Sequence, residues 1–415
     1  MLAFLAPWLM QVVLPVQPPP PLPPIPLEQK LESIGRPSSP LNADVLNTRV
    51  QGWSLLNSDT LKQVSKQRIF RILQIGDSHT AGDFFTNYYR NRLQSSFGDG
   101  GIGWILPGAV RGQRSARYSV LSEGRWLLQY PHGSRRNVIT PFGGYINIGS
   151  KGSVLRVKPR LISKGSSSIR IGAYVRSLNG KESVVQFGSE LYPNKEFNVG
   201  PEWQYISRDI PVTPVLFSQQ LKFKILSGSV AIAGLSHESL QGVVVDQIGR
   251  NGAELRWMNQ WSTDNWSRLF RERPVDIVVL AFGTNESVDR VSTQSYSQVI
   301  DTVVGKLQLA SPGLPIVLIS TPAFAKGSRS SCLSYRPLSI NQILQAQVLA
   351  TRRQSGVRTW NWAKAMGGLC SVSSWSQQGL MGSDWIHFSR KGYYKSAELF
   401  NQWLLQQGAV DDGLN

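Results

Sequence analysis

The stretch RILQIGDSHTAGD, residues 71–83, begins as an apolar run and stops at Gly76, Asp77, Ser78 and His79. Such a run reads as a buried strand, and the residues after it read as a turn into a helix. Two readings fit an acid, a hydroxyl and an imidazole at that point. In one, Asp77 or Ser78 caps a helix that starts near Ala81. In the other, the Ser78 hydroxyl is a nucleophile at the carboxyl edge of a sheet, where a strand-to-helix turn exposes it and aims backbone N–H groups at the same space.

Four further β-branched-rich runs come later in the chain: VVVDQIG (243–249), DIVVLAF (276–282), PIVLIST (315–321) and the weaker VRTWNWA (357–363). Helical patterns lie between or after them: DFFTNYYRNRLQSSF (83–97), AELRWMNQWSTDNWSRLF (253–270), TQSYSQVIDTVVGKLQLA (293–310), SINQILQAQVLATRR (339–353) and SRKGYYKSAELFNQWLLQQ (389–407). Another helix is predicted near 59–67. This alternation predicts a parallel sheet with helices on both faces.

One interval, 109–240, breaks the rhythm. It holds no convincing amphipathic helix. Short alternating runs such as SVLRVKPR, SIRIGAYVRS and LKFKILSGSVAIAGL are punctuated by Gly, Pro, Ser and Asn. That spacing predicts an all-β module, a sandwich or jelly roll, inserted into the α/β domain. The expected division is a tail at 1–26, an α/β domain formed by 27–108 and 241–415, and the β-insert at 109–240.

The chain has 415 residues, enough for two domains or one domain with a large insertion. Lys and Arg number 44 against 26 Asp and Glu, a net charge of +18. The insert alone holds 18 basic and 7 acidic residues, a surplus of 11. A field of this sign favours polyanions. Because the basic residues alternate with apolar ones and form no long block, they read as solvated strand faces, and a nucleic-acid partner is not expected.

The N-terminal MLAFLAPWLMQVVLPVQ is apolar but has no Lys or Arg before its hydrophobic part. It reads either as an imperfect secretory signal or as a disordered apolar tail, in either case a segment that can lie near a membrane but is too short to span one. LPVQPPPPLPPIP (14–26) is expected to be a stiff extended spacer. Cys332 and Cys370 are the two cysteines, either paired in one disulfide or separate thiols.

A nucleophilic serine needs a base. Of His79, His132, His237 and His387, only His387 stands just before a closing helix with an acid three residues earlier, Asp384, in GSDWIHFSRKG. That spacing lets the carboxylate accept the imidazole Nδ1–H and leaves Nε2 free as base. His79 adjoins Ser78, and adjacent side chains at a turn diverge. No second His or Cys has metal-ligand spacing near His387, so neither metal nor cofactor is expected. Acyl transfer also needs fixed donors for an oxyanion. Asn285 follows the third strand, and Gly252, in QIGRNGAEL, follows the second with no side chain to block an approach. Singly, each of these residues also reads as ordinary loop punctuation. Together, Ser78, Gly252, Asn285 and the Asp384–His387 pair fall at carboxyl ends of predicted parallel strands or in the closing loop, which converge on one crevice.

With GDSH at 76–79, NG at 251–252, GTN at 283–285 and DWIH at 384–387, the chain resembles the SGNH, or GDSL-type, hydrolases. The resemblance implies a flavodoxin-like three-layer α/β domain. It also implies Ser78 as nucleophile, His387 as base, Asp384 as its orienting acid, and an oxyanion hole from Ser78 N–H, Gly252 N–H and the Asn285 amide. GDSHTAGD followed by a β-insert is most similar to the periplasmic O-acetylpeptidoglycan esterases, which carry a carbohydrate-binding-like β-module there. The expected activity is therefore that of a serine esterase on acetylated peptidoglycan or a similar glycan in the cell envelope. An O-acetyltransferase with the same triad, or a glycan-binding protein with an inert hydrolase fold, are the alternatives. Trp126, Tyr145 and Trp203 are candidate sugar platforms, or else core residues of the sandwich.

Overall fold

The computed structural model describes residues 52–110, 112–129, 142–160, 168–178, 180–189, 192–211, 220–325 and 337–409. The apolar N-terminus, the proline-rich stretch, His132 and Cys332 lie outside them. In chain order the strands are β1 (Ile69–Gly76), β2 (Gly101–Ile105), β3 (Tyr118–Glu123), β4 (Trp126–Gln129), β5 (Ile146–Ser150), β6 (Val154–Pro159), β7 (Ser168–Ser177) and β8 (Ser183–Ser189). They continue with β9 (Tyr192–Val199), β10 (Gln204–Pro211), β11 (Leu221–Ser227), β12 (Ser229–Ser239), β13 (Gly242–Gly249), β14 (Ile277–Ala281), β15 (Ile316–Ile319) and β16 (Val357–Trp360).

Five of these form a parallel sheet ordered β13-β1-β14-β15-β16. Successive side chains point to opposite faces, and both faces are apolar. Leu73, Ile75, Val278 and Leu280 pack with Trp266, Tyr296, Ile300 and Ile343 of the helices Thr263–Glu272, Thr293–Ala310 and Pro337–Arg353. Phe70, Ile72, Val243 and Val245 pack with Leu61, Phe85 and Phe400 of the helices Ser58–Gln67, Phe84–Phe97 and Arg390–Gln406. A strand buried on both sides is dominated by apolar residues, with hydrogen-bonded or paired exceptions such as Arg71 of β1 and Asp246 of β13, which is why the runs in the sequence do not alternate.

Counted along the sheet-forming strands alone, the spatial order is 2-1-3-4-5, the flavodoxin-like arrangement. Its direction of winding reverses between β1 and β14. Loops leaving those two strands part from each other and open a crevice at their carboxyl ends.

The remaining strands form two antiparallel sheets, β10-β7-β12-β5-β4 with β2 beside β12, and β3-β6-β11-β8-β9. Leu155, Val157, Val175, Phe187, Phe223 and Ile232 fill the space between them. The insert is a β-sandwich. Its first strand, β2, precedes the expected start at residue 109, because Leu235–Glu238 of β12 pairs with Gly101–Ile105. The run GIGWI is short and glycine-rich, so in sequence it carries no clear strand pattern.

A second departure concerns 253–270, read as one helix. The chain instead makes a 3-10 turn over Leu255–Gln260, straightens at Trp261 and restarts at Thr263, where the Ser262 hydroxyl accepts the Asn265 N–H. A serine in mid-pattern competes for backbone donors and opens a new helix. Tyr145 and Trp203 are core residues and not exposed platforms. Tyr145 is buried and donates to the Gly249 carbonyl at 3.0 Å, and Trp203 stacks on Tyr174 at 5.2 Å.

The sandwich and the parallel sheet share a buried ionic cluster. Glu238 of β12 receives Arg71 of β1 at 2.7 and 2.9 Å and also pairs with Arg273, and Arg273 reaches Asp246 of β13 at 3.2 Å. Asp246 further accepts the Trp104 N–H of β2 at 2.6 Å. All four charged side chains are almost fully buried. Burial opposes ionisation of Glu238, but Arg273 and Arg71 outweigh it and hold the carboxyl down to about 2. Cys370 is disulfide-bonded. Among the described residues no helix is long and apolar enough to cross a membrane.

Candidate active site

The end of β1 is shaped by crowding. A Cβ on Gly76 would sit 2.2 Å from Thr80 Oγ1 and 2.6 Å from the Ala281 carbonyl, so only glycine fits. Asp77 then caps the one-turn helix Ser78–Ala81 by accepting the His79 N–H at 2.9 Å. Ser78 opens that helix, and its own N–H, like those of any first turn, has no partner within it. The aspartate is therefore the cap, and Ser78 is the first residue of the helix it caps.

His387 meets Ser78 across the crevice. Its Nε2 lies 2.8 Å from Ser78 Oγ, and its Nδ1 lies 2.6 Å from Asp384 Oδ2. The other carboxylate oxygen accepts the N–H groups of Ile386 and His387 at 3.0 and 2.9 Å. This tight loop needs Trp385 in the left-handed region, at φ 55°. Partial burial works against ionisation of Asp384, but the His387 ring and the two backbone donors keep its carboxyl below the ordinary range. An anionic Asp384 fixes the proton on Nδ1 and leaves Nε2 as acceptor for the serine proton.

The two remaining loops are tied to each other. Arg250–Ala253 is a turn closed by the Ala253 N–H on the Arg250 carbonyl at 3.1 Å, with Gly252 at φ 71° in the position that demands glycine. A Cβ on Gly252 would meet nothing within 4 Å, so its surroundings are open. Asn285, after β14, donates one side-chain N–H to the Ala253 carbonyl at 2.8 Å. The Arg250 N–H reaches back to the Gly76 carbonyl at 3.0 Å. The loops bearing Ser78, Gly252 and Asn285 are thus tied together at the carboxyl ends of β1, β13 and β14.

Two residues near the site, Glu286 and Tyr393, carry no signal of their role in the sequence. Glu286 is buried and accepts the Leu255 N–H at 2.8 Å, which pins the segment after Gly252. Burial pushes its carboxyl up to about 8, with the Leu255 N–H pulling the other way. Burial likewise pushes Asp77 up to about 7, against the His79 N–H, the charge on His387 and Thr284. Tyr393 hydrogen-bonds His79 Nδ1 at 3.0 Å. His79 turns away from Ser78 toward Tyr393. Its ring is buried, 5.1 Å from that of His387, and burial lowers its pKa to about 3, so it packs as a neutral ring. Only a signal that the residue after GTN is buried would have revealed Glu286, and a single sequence carries none.

His237 lies in β12, buried in the sandwich, away from the triad. Among the described residues no group of three or more His, Cys, Asp or Glu is placed to hold a metal ion.

Comparison with known proteins agrees with this fold. Residues 228–395 match the GDSL-like lipase/acylhydrolase family, and residues 100–210 match a family described as peptidoglycan O-acetylesterase, N-terminal. A solved structure titled "Peptidoglycan O-acetylesterase in action, 5 min" is 29% identical, with a TM-score of 0.72, over 87% of this chain and 97% of that one. The chain carries a GDSL-like hydrolase domain and a peptidoglycan O-acetylesterase N-terminal module. It is similar to the peptidoglycan O-acetylesterases, whose N-terminal module corresponds to the sandwich. The match at residue 100 coincides with the start of β2. A family two carbohydrate esterase from Cellvibrio japonicus covers 70% of the hydrolase at 12% identity and a TM-score of 0.29, too slight to carry an argument. Curated protein sequences return no match.

Proposed function

We propose that the chain is a serine esterase that removes O-acetyl groups from peptidoglycan through an acetyl-serine intermediate. The observation that carries this reading is the hydrogen-bonded line from Ser78 Oγ through His387 to Asp384 at the carboxyl edge of a parallel sheet. The chain-long likeness to a peptidoglycan O-acetylesterase supports the substrate. The reading puts the enzyme in the cell envelope, in the periplasm.

In the reaction, His387 Nε2 takes the Ser78 proton as Oγ attacks the acetyl carbonyl carbon. The carbonyl π electrons move onto oxygen. Ser78 N–H, Gly252 N–H and the second N–H of the Asn285 amide receive that charge. When the intermediate collapses, the sugar oxygen leaves and takes the proton from His387. Water then attacks the acetyl-enzyme, gives its proton to His387, and acetate departs as Ser78 regains its hydrogen. Asp384 stays ionised throughout and stabilises the imidazolium.

The test is acetate release from O-acetylated peptidoglycan by the wild type and by Ser78→Ala. The reading expects release by the wild type and none above background by the variant. Equal release by both removes Ser78 from the reaction.

A further inference from the structure

A groove of about 280 Å³ opens on the sandwich side of the site, lined among others by Leu106, Gln113, Arg114, Ser115, Tyr118 and Arg160. The segment that forms its rim is fastened to the catalytic turn. The Arg114 N–H donates to the carbonyl of Ala81, the last residue of the helix that Ser78 opens, at 3.0 Å. The Ala116 N–H donates to Asp83 at 2.8 Å. Gly112 runs so near the oxyanion loop that a Cβ on it would lie 2.4 Å from the Asn251 side-chain amide. Gln113 donates to the Tyr145 hydroxyl at 2.9 Å, and Tyr145 in turn holds the Gly249 carbonyl.

The charge on this rim is not balanced locally. Neighbouring arginines of the sandwich have acids: Arg117 has Asp99, Arg156 has Glu123 and Arg170 has Asp209. Arg114 and Arg160 have none among the described residues. The Arg114 guanidinium lies 4.5 Å above the Phe84 ring, and Arg160 gives one N–H to the Ser115 carbonyl at 3.2 Å. Phe84 stacks on Tyr393, the partner of His79, so the rim reaches the triad through three packed rings. A guanidinium held over an aromatic ring keeps N–H donors available to a carboxylate.

We infer that Arg114 and Arg160 form a subsite for a carboxylate carried by the substrate polymer, such as one on its peptide stems. The subsite draws an anionic strand across the rim and sets the ester over Ser78. It rests on the esterase reading above and adds a charge requirement to it.

The test compares kcat/KM on O-acetylated peptidoglycan with kcat/KM on the same polymer after its carboxyl groups are amidated. A 4-nitrophenyl acetate assay measures the triad alone. Wild type should prefer the anionic polymer by roughly five- to tenfold, the scale of one or two exposed charge-assisted contacts. In the double variant Arg114→Gln, Arg160→Gln that preference should vanish, and Arg114→Lys with Arg160→Lys should restore part of it. A thermal midpoint near that of wild type shows that the variants fold. A double variant that keeps the wild-type preference overturns the subsite. A wild type that hydrolyses the small ester but releases acetate from neither polymer overturns the substrate reading instead.

Discussion

Asn285 donates one of its two side-chain N–H groups to the main-chain carbonyl of Ala253 at 2.8 Å. The amide is therefore held in plane by the very loop that carries Gly252, and its other N–H is aimed by that tether. Replacing Asn285 with Ala removes a donor and loosens the neighbouring one. We expect kcat on a chromogenic acetate to fall by about 10²- to 10³-fold with KM little changed, since the lost bonds matter most in the transition state. A variant that raised KM and spared kcat would assign Asn285 to substrate binding.

Ser78 and Asp384 should differ in how much they matter. Ser78→Ala removes the proposed nucleophile and is expected to cost about four to six orders of magnitude in kcat. Asp384→Asn leaves a ring that has lost its anionic partner, and about 10²- to 10⁴-fold is expected. Steady-state kinetics on one small ester measures both.

Glu286 acts at one remove. Its carboxyl oxygen accepts the Leu255 N–H, so Glu286→Ala should release the loop after Gly252 and lower kcat more than it raises KM. Glu286→Gln keeps an acceptor oxygen and should recover most of the loss. If Gln and Ala behaved alike, the hydrogen bond would not be what positions the loop.

The buried ionic cluster sets an acid limit. Glu238 titrates at about 2 in the folded chain, against its ordinary 4.5. Its contribution to stability is complete above pH 4.5 and drains away as the pH falls toward 2. Denaturation midpoints measured from about pH 6 downward should decline steeply over that interval. Glu238→Ala leaves Arg71 and Arg273 short of a partner in the interior and should cost about 3–5 kcal/mol at neutral pH.

Asp77 has the opposite sign. Its carboxyl is raised from 3.8 to about 7, so the folded state favours the protonated form, and its share of stability is lost as the pH climbs through 7. Asp77→Asn should flatten the stability profile between about pH 4 and 7, read from thermal midpoints. A profile as steep as that of the wild type would exclude Asp77 as the titrating group.

The five catalytic candidates were legible because each chemistry-bearing residue sits beside a glycine, a turn or a cap that local sequence signals well. The parallel strands were legible because burial on both faces leaves a largely apolar run. What stayed hidden depends on partners far along the chain. GIGWI becomes a sandwich strand only when β12 returns more than a hundred residues later. Glu286 reads as a polar residue in a loop until the fold closes over it. Arg114 looks like any surface arginine until its segment is seen lashed to Ala81.

The sandwich enters and leaves through one doorway, where the Val243 N–H meets the Gly98 carbonyl at 2.8 Å and Gly100 passes against Gly242. On paper, cutting it out and rejoining the two ends takes only a short splice. Glu238, however, travels with the excised part, and the piece left behind would hold two guanidiniums facing Asp246 alone. A segment that is an interruption in the order of residues is thus a structural organ in the assembled enzyme, and the catalytic half has no complete interior without it.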